Sequence, residues 1–278
     1  MRTALLVLLL AAFIPRVHAQ QDPQLSLYGF NRQIFNPGYF GGAGALNFVL
    51  GGRSQWVGID GQPNTATLTG SLPIEAIFGG VGLNFMYDQI GPFQTVGLKG
   101  GYAFILPLGN SGLKIQAGVA PGFFYKNLDP TGFSSEINPA FDPLLRDLFV
   151  NADRTTQIAF DLDAGLYLHM PHPKNEDLDR FFFGFSATHL TEPSLLPEAD
   201  DANAQSEAVV GRSFFIQGGY NFGLDQLGRF FLYPQTQFKL SGSQMQAEMN
   251  LNFHFLPFML GAGYRGIPGQ GGPESAIG

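Results

Sequence analysis

Two segments of the chain alternate apolar and polar residues with a period of two for twelve and fifteen positions, at 244–255 and at 156–170. A period of two places each set of residues on one face of a β-strand. Ordinary strands average about five or six residues, whereas a tilted strand that crosses a membrane needs about 9–11. Length and contrast together predict an all-β protein, a transmembrane antiparallel β-barrel whose strands have one apolar and one polar face.

The two faces differ in chemistry, and we expect the apolar face to contact lipid and the polar face to line the lumen. Asp161 and Asp163 share the polar face of one segment. An acid–base pair is one interpretation of these carboxylates, but a barrel wall favours the lining of a wet lumen. The apolar positions are Ile158, Phe160, Leu162, Leu166, Leu168 and Met170 in one segment and Met245, Met249, Leu251, Phe253 and Phe255 in the other.

Composition excludes several other classes of protein. Charged residues make up 13% of the chain, against about 25% in soluble domains. The 28 Phe and 9 Tyr are too many for a disordered chain. Outside the N-terminus no apolar run reaches about 18 residues, which excludes a helical membrane protein. The chain has no cysteine and a net charge of −7, so we expect neither disulfides nor a nucleic-acid partner.

The N-terminus has the features of a secretory signal peptide. An apolar run extends from Ala4 to Ile14, and Ala19 is the small residue that signal peptidase needs. An uncleaved anchor is the alternative, but the run is too short to span about 30 Å of hydrocarbon. We therefore expect a signal peptide at residues 1–19, a periplasmic or plug segment at 20–43, and the barrel at 44–278.

Eleven strands are predicted, and their connections differ in length. The tight connections Asn110-Ser111-Gly112 and Ser241-Gly242 are typical of periplasmic turns. The stretches 127–153 and 191–210 are long and polar, which favours extracellular loops. The predicted strands are 44–57, 64–72, 78–88, 93–107, 112–126, 154–169, 180–190, 211–222, 229–241, 243–255 and 257–265.

The odd number of predicted strands is unusual, because bacterial single-chain barrels have even numbers. Such barrels commonly end on an aromatic residue, whereas this sequence ends at Gly278 in a Gly/Pro-rich tail. We therefore expect that C-terminal strands are missing and that the full-length barrel has about 14 strands.

Motifs of enzymes and metal sites are weak or absent, so we expect no enzyme, cofactor or metal. The chain has no nucleophile elbow, zinc-protease, P-loop or dinucleotide motif. His169 and His172 form an H-x-x-H pair, but prolines around it favour a strand end over a metal site. Asp177 and Asp179 could hold calcium, although a solvated turn is more common. Five aromatic residues favour a girdle at the membrane interface over a ligand-stacking set: Trp56, Tyr87, Tyr102, Tyr125 and Tyr233.

Several motifs occur in an order that resembles the PorP/SprF family. Gln21–Tyr39 has the sequence QDPQLSLYGFNRQIFNPGY, and members of that family open with QDPQ, an aromatic FN segment and NPAY. Arg53-Ser54-Gln55-Trp56-Val57-Gly58 matches the R-x-Q-W-x-G pattern of the family, Asp88–Pro92 its D-x-I-G-P, and Tyr264-Arg265 its late Y-R strand. The departures are Gly38, where alanine is usual, and Phe40, where a small residue is common.

The resemblance implies an outer-membrane β-barrel of the type IX secretion system of Gram-negative bacteria. Members of the family are linked to gliding and to secretion or surface display of large adhesins that carry C-terminal targeting domains. Some contact periplasmic peptidoglycan-binding lipoproteins and components of the secretion motor. Members usually continue beyond the Y-R strand, which agrees with the expectation of missing strands.

Two functions are compatible with these features. One is a non-enzymatic barrel that supports secretion or anchoring of adhesins, and the other is a channel or transporter for small or hydrophobic solutes. The aromatic-rich segment 20–43 could plug the lumen, dock a partner or simply lead into the first strand. We expect Arg53 and Gln55 to hold this segment from inside and Trp56 to anchor the strand at the membrane interface. The candidate contacts are Tyr28, Phe30, Phe35, Tyr39, Phe40, Arg53, Gln55 and Trp56.

Overall fold

The computed structural model consists mainly of one large antiparallel sheet and a segment of short 3₁₀ turns. None of the helices in the described part of the chain is long and apolar enough to cross a membrane. The 3₁₀ turns are Tyr28–Phe30, Arg32–Ile34, Pro37–Tyr39 and Glu75–Ile77. The structure describes residues 25, 28–59, 61–109, 111–128, 155–173, 175–194, 209–225, 229–242, 244–255, 258–266 and 276–277.

Thirteen strands form the sheet, and each pairs with its neighbour along the chain. The one departure from this meander is β9, which follows β8 and pairs with β10. The strands are β1 (Asn47–Ser54), β2 (Asn64–Ile74), β3 (Gly79–Ile90), β4 (Phe93–Leu108), β5 (Leu113–Leu128), β6 (Thr155–His172), β7 (Asn175–Thr188), β8 (Ser213–Tyr220), β9 (Phe222–Gly223), β10 (Phe230–Ser241), β11 (Gln244–Phe255), β12 (Phe258–Gly266) and β13 (Ala276–Ile277).

The predicted all-β fold is confirmed, and a strand lies at each of the eleven predicted positions. The bounds differ by a few residues, and the largest difference is at β7, which begins at Asn175 rather than at residue 180. The short β9 and β13 were not predicted. Among the described strands the sheet does not close, because β1 pairs with β2 alone and the path ends at β13.

The wall of the sheet is apolar outside and polar inside, as the alternation predicts. On β11 the side chain of Met249 is 57% exposed, whereas that of the next residue, Asn250, is 4% exposed. On β6 the carboxylates of Asp161 and Asp163 are buried, whereas Ile158 and Phe160 are exposed. This is the reverse of a soluble protein, and lipid rather than water is the solvent that suits such an outer face.

The connections between strands fall at two ends of the sheet, because every pairing is antiparallel. We call one end the short-turn end, and its connections are 75–78, 109–112, 173–174, 224–229 and 256–257. The opposite end is the long-loop end. Its two longest connections are 129–154 and 189–212, which contain the predicted loops 127–153 and 191–210 except for residues 127 and 128 of β5. Residues 129–154 and 195–208 lie outside the described part of the chain.

One prediction about the turns is wrong. The turn at 109–112 and the turn at 242–243 lie at opposite ends, because the chain crosses the sheet an odd number of times between them, in β5, β6, β7, the β8–β9 pair and β10. Residue pairs such as Ser241 and Gln244 face each other directly across the second turn. A tight turn reflects the register of the two strands that it joins, and it does not identify the side of the membrane.

Candidate functional site

The described part of the N-terminal segment, residues 25 and 28–43, lies against the inner wall of the sheet. Its 3₁₀ turn Pro37–Tyr39 contacts β4, β5, β6 and β7. Tyr28 and Phe40 are fully buried, and Phe35 and Tyr39 are partly buried, although loops of a soluble chain normally lie on the surface. Phe30 is 50% exposed. The described part of the segment is therefore packed into the inner face of the sheet, and its role as a plug stays a prediction.

Arg32 is the charged centre of this segment, and sequence analysis did not identify it. Its Nη1 donates to the hydroxyl of Tyr167 and its Nη2 to the hydroxyl of Tyr233, both at 2.8 Å. Its Cζ lies 4.1 Å from the centroid of the Phe182 ring and 5.6 Å from that of the Tyr39 ring. Arginine suits this position because its planar guanidinium can stack on a ring while its edges donate hydrogen bonds.

Asp179 on β7 is the counter-ion of Arg32. Its Oδ2 accepts from Arg32 Nη1, and its Oδ1 lies 2.7 Å from Nδ1 of His169. The other ring nitrogen of His169 lies 3.0 Å from Nε2 of Gln116. Burial alone would lower the pKa of the Arg32 guanidinium, but Tyr167 and Asp179 help to raise that pKa well above its ordinary value. The guanidinium therefore stays charged, and its charge is compensated.

Asn36 fixes the next turn of the segment against β6. Its Oδ1 accepts from Gly38 N at 2.9 Å, which caps the 3₁₀ turn, and its Nδ2 donates to Leu166 O at 3.0 Å. The wall residues Gly165 and Gly184 make this approach possible, because a Cβ atom at either position would overlap the Asn36 side chain. The N-P-G-Y motif thus fits a part of the wall that has no side chains.

Phe40 occupies a similar niche on β3 and β4. Its ring is fully buried and packs with Ala103 and Ala120. A Cβ atom on Gly82 would overlap this ring, and a Cβ on Gly101 would lie 2.8 Å or less from its nearest neighbours, which include the ring. A large residue at position 40 is therefore accommodated by small residues on the wall.

Polar side chains of opposite walls also bind the segment. Two of these bonds come from β2 and β3, and the third comes from β7, so that the segment bridges the lumen. The ring of Phe35 further packs on that of Phe215 of β8, with 5.3 Å between centroids. The bonds run from Thr69 Oγ1 to Asn31 Oδ1 at 2.9 Å, from Asn84 Nδ2 to Gln33 O at 3.1 Å, and from Ser186 Oγ to Phe35 O at 2.7 Å.

Two of the three contacts predicted on the first strand lie outside that strand in the structure. Strand β1 ends at Ser54, so Gln55 and Trp56 lie in the connection to β2 rather than on the strand. Trp56 is 67% exposed and has a positive φ of 53°, and Gln55 N donates to Pro63 O at 3.0 Å. The role of Arg53 and Gln55 in holding the segment, and that of Trp56 as an interface anchor, stay predictions.

A second buried network lies nearer the long-loop end. Lys99 Nζ lies 2.5 Å from Asp161 Oδ2 and 2.7 Å from both carboxylate oxygens of Asp163. His189 Nδ1 lies 2.7 Å from Asp161 Oδ2. The ligand atoms of Asp161, Asp163 and His189 lie within 4.8 Å of one another, as in a metal site. The ammonium group of Lys99 contacts both carboxylates, so this cluster is an ion network with its own cation.

Other sequence interpretations change in the structure. Tyr233 is 2% exposed and faces Arg32, so its assignment to the membrane girdle is wrong, because it occupies an inward position of β10. Asp179 pairs with Arg32 and His169 rather than with calcium or solvent, and the side chain of Asp177 lies outside the described residues. His172 packs edge-on against Phe231.

Comparison with known proteins assigns the family. A family model described as type IX secretion system membrane protein PorP/SprF matches residues 17–278. No curated protein gives a significant match. The matched range includes the N-terminal segment and every strand of the sheet. The chain therefore belongs to the PorP/SprF family of type IX secretion system membrane proteins.

Proposed function

We propose that the chain is an outer-membrane component of the type IX secretion system whose lumen is closed by its own N-terminal segment. In this proposal it supports secretion or surface anchoring of adhesins and catalyses no reaction. Family membership supports the secretion role. The apolar outer wall supports insertion into the outer membrane, and the sequence of residues 1–19 supports export by a signal peptide.

The position of Arg32 is the main observation that supports a closed lumen. Its guanidinium is held by Tyr167 on β6 and Tyr233 on β10, and it pairs with Asp179 on β7. Residues on either side of it are held by β2, β3 and β7. A solute could cross this section of the lumen only after buried charge-assisted bonds had broken.

Because nothing passes through a closed lumen, partners would bind the protein at the two ends of the barrel. By the usual arrangement of such barrels, the long-loop end faces the outside and the short-turn end faces the periplasm. Adhesins with C-terminal targeting domains are then the partners at the long-loop end. A periplasmic peptidoglycan-binding lipoprotein and components of the secretion motor are the partners at the short-turn end. In this proposal the protein contributes to gliding when the adhesin that it helps to display is one that drives gliding.

Conductance of the purified chain in planar bilayers tests the closed lumen. We expect the intact chain to pass little current and a variant that lacks residues 28–42 to pass a large current. The matched control is the double variant Asn31→Cys with Thr69→Cys. The Asn31 and Thr69 side chains are in contact, with 2.9 Å between Oδ1 and Oγ1. The chain has no native cysteine, so the two introduced thiols can pair only with each other. A thiol crosslink between them should keep the current low. A wild-type conductance equal to that of the deletion variant would contradict the proposal and favour a solute channel.

A further inference from the structure

A cavity of about 240 Å³ lies between the N-terminal segment and the wall. One side of it consists of segment residues that include Phe30, Arg32 and Tyr39. The other side consists of side chains from the barrel wall. Since liquid water takes up about 30 Å³ per molecule, the cavity has room for about eight waters or for a ligand of similar size.

The position of the cavity along the barrel follows from its lining. Asn47 begins β1, Lys114 lies at the start of β5, Pro171 lies near the end of β6, and Met259 lies at the start of β12. Each of these positions is at the short-turn end. The cavity is therefore a recess of the lumen at that end, on the side of the plug away from the long loops.

The charges in the cavity do not balance. Arg32, Asp179 and His169 also line it, but the Asp179 carboxylate contacts both Arg32 and His169. Lys114 adds a positive charge, and within the described residues it has no carboxylate partner. His254 is buried, and its Nε2 has no hydrogen-bond partner in the described structure. The cavity thus combines an unbalanced cation with a buried polar atom that lacks a partner.

We propose that this cavity binds the carboxylate group of a small anionic ligand. Lys114 supplies the charge and up to three donors, and the amide of Asn252 and the imidazole of His254 supply further polar contacts. The rings of Phe30 and Tyr39 give the site an apolar side that suits a short aliphatic chain. A ligand of about one amino-acid residue fits this volume.

Two sources could supply the same chemistry. One is a free small carboxylate such as glutamate, and the other is the end of a peptide that reaches into the lumen from the short-turn end. The site requires the N-terminal segment to be in place, since that segment forms one side of the cavity. It does not require the secretion role, so that a failure of ligand binding leaves the conductance result unaffected.

Calorimetric titration of the full-length chain in detergent tests the proposal. The probes are glutamate, an acetylated tripeptide that ends in a free glutamate, and the same tripeptide with an amidated C-terminus and a glutamine side chain. We expect glutamate or the free tripeptide to bind and the uncharged peptide not to bind. Binding of glutamate identifies a free carboxylate, and binding of the tripeptide alone identifies a peptide end.

Variants assign the binding to this cavity. We expect Lys114→Gln to weaken binding about tenfold or more, because it removes a charged hydrogen bond, and Lys114→Arg to retain most of it. The matched control is Lys126→Gln, which removes an inward lysine near the other end of the same strand. Heat-dependent gel migration checks that each variant is folded. No binding of either carboxylate probe, or an equal loss from Lys126→Gln, would overturn the proposal.

Discussion

The guanidinium of Arg32 lies over the ring of Phe182, with 4.1 Å between Cζ and the ring centroid. Arg32 belongs to the N-terminal segment and Phe182 to β7, so the contact joins two distant parts of the chain. The segment cannot reach this position until β7 is part of the wall. Docking of the plug and assembly of the second half of the sheet are therefore linked.

Replacement of Arg32 by methionine should release the plug. The change leaves the Asp179 carboxylate with the imidazole of His169 and the hydroxyl of Tyr167 as its described partners, and loss of one member of a buried ion pair costs about 3–5 kcal/mol. We expect a lower temperature of unfolding in heat-dependent gel migration, together with increased conductance. Asp179→Asn in the same background should restore part of the stability, because it removes the unpaired carboxylate. If Arg32→Met matches wild type in both measurements, Arg32 does not hold the plug.

Replacement of Gly82 by alanine tests the niche of Phe40. The added methyl group would overlap the Phe40 ring, and overpacking costs about 1–3 kcal/mol. We expect faster proteolysis of the N-terminal segment, and we expect Phe40→Leu to compensate. The control is Gly52→Ala on β1, where a Cβ atom has no neighbour within 4 Å. Equal proteolysis of both alanine variants would show that Phe40 does not occupy the niche.

The strands could be predicted from sequence because the contrast between the two faces is a local signal. Residues such as Met249 and Asn250 alternate within one strand, and lipid outside with polar groups inside fixes their direction. Tyr233 was assigned to the wrong face because β10 has aromatic residues on both faces in the sequence Phe230-Phe231-Leu232-Tyr233. Without contrast between faces, a period of two does not distinguish inside from outside.

The charged partners in the lumen could not be predicted in the same way. Asp179 pairs with Arg32 because the register of β6 and β7 shifts beside Pro171, which lies opposite Asp179. Local spacing carries no information about such a shift or about which segment fills the lumen. The signal that was available is one arginine within an otherwise uncharged, aromatic stretch at 28–46, since an isolated charge among aromatic residues indicates a buried partner.

The assignment of faces is tested by a pair of neighbouring substitutions on β11. Met249→Arg places a charge on the apolar outer face and should destabilise the barrel by about 2–4 kcal/mol if the residue lies near the midplane. Asn250→Ser changes the inner face without adding a charge beside Glu248, which accepts from Asn250 Nδ2 at 3.1 Å, and should have a milder effect. The measurement is the temperature at which the folded band disappears on a gel. Similar losses for both variants would contradict the assignment.

The aromatic residues of the N-terminal segment should differ in their roles. Phe35 packs on Phe215, so Phe35→Ala should lower stability by about 1–2 kcal/mol. Phe30 is half exposed, so Phe30→Ala should leave stability within about 0.5 kcal/mol. We expect Phe30→Ala nevertheless to reduce cell-surface display of the adhesin cargo, because exposed aromatic side chains anchor interfaces. Unchanged display with an intact barrel would show that Phe30 docks no partner.

The ammonium group of Lys99 lies against the carboxylates of both Asp161 and Asp163. Lys99→Ala removes this cation and leaves two buried carboxylates beside His189, which should cost about 3–5 kcal/mol. It also leaves three ligand atoms within 4.8 Å of one another, a composition that binds Zn²⁺. We therefore expect Zn²⁺ to raise the unfolding temperature of Lys99→Ala and to leave that of the wild type unchanged. Adding Asp163→Asn to the variant should abolish the response to Zn²⁺. A wild-type barrel that Zn²⁺ stabilises equally would show that Lys99 does not occupy the place of a metal ion.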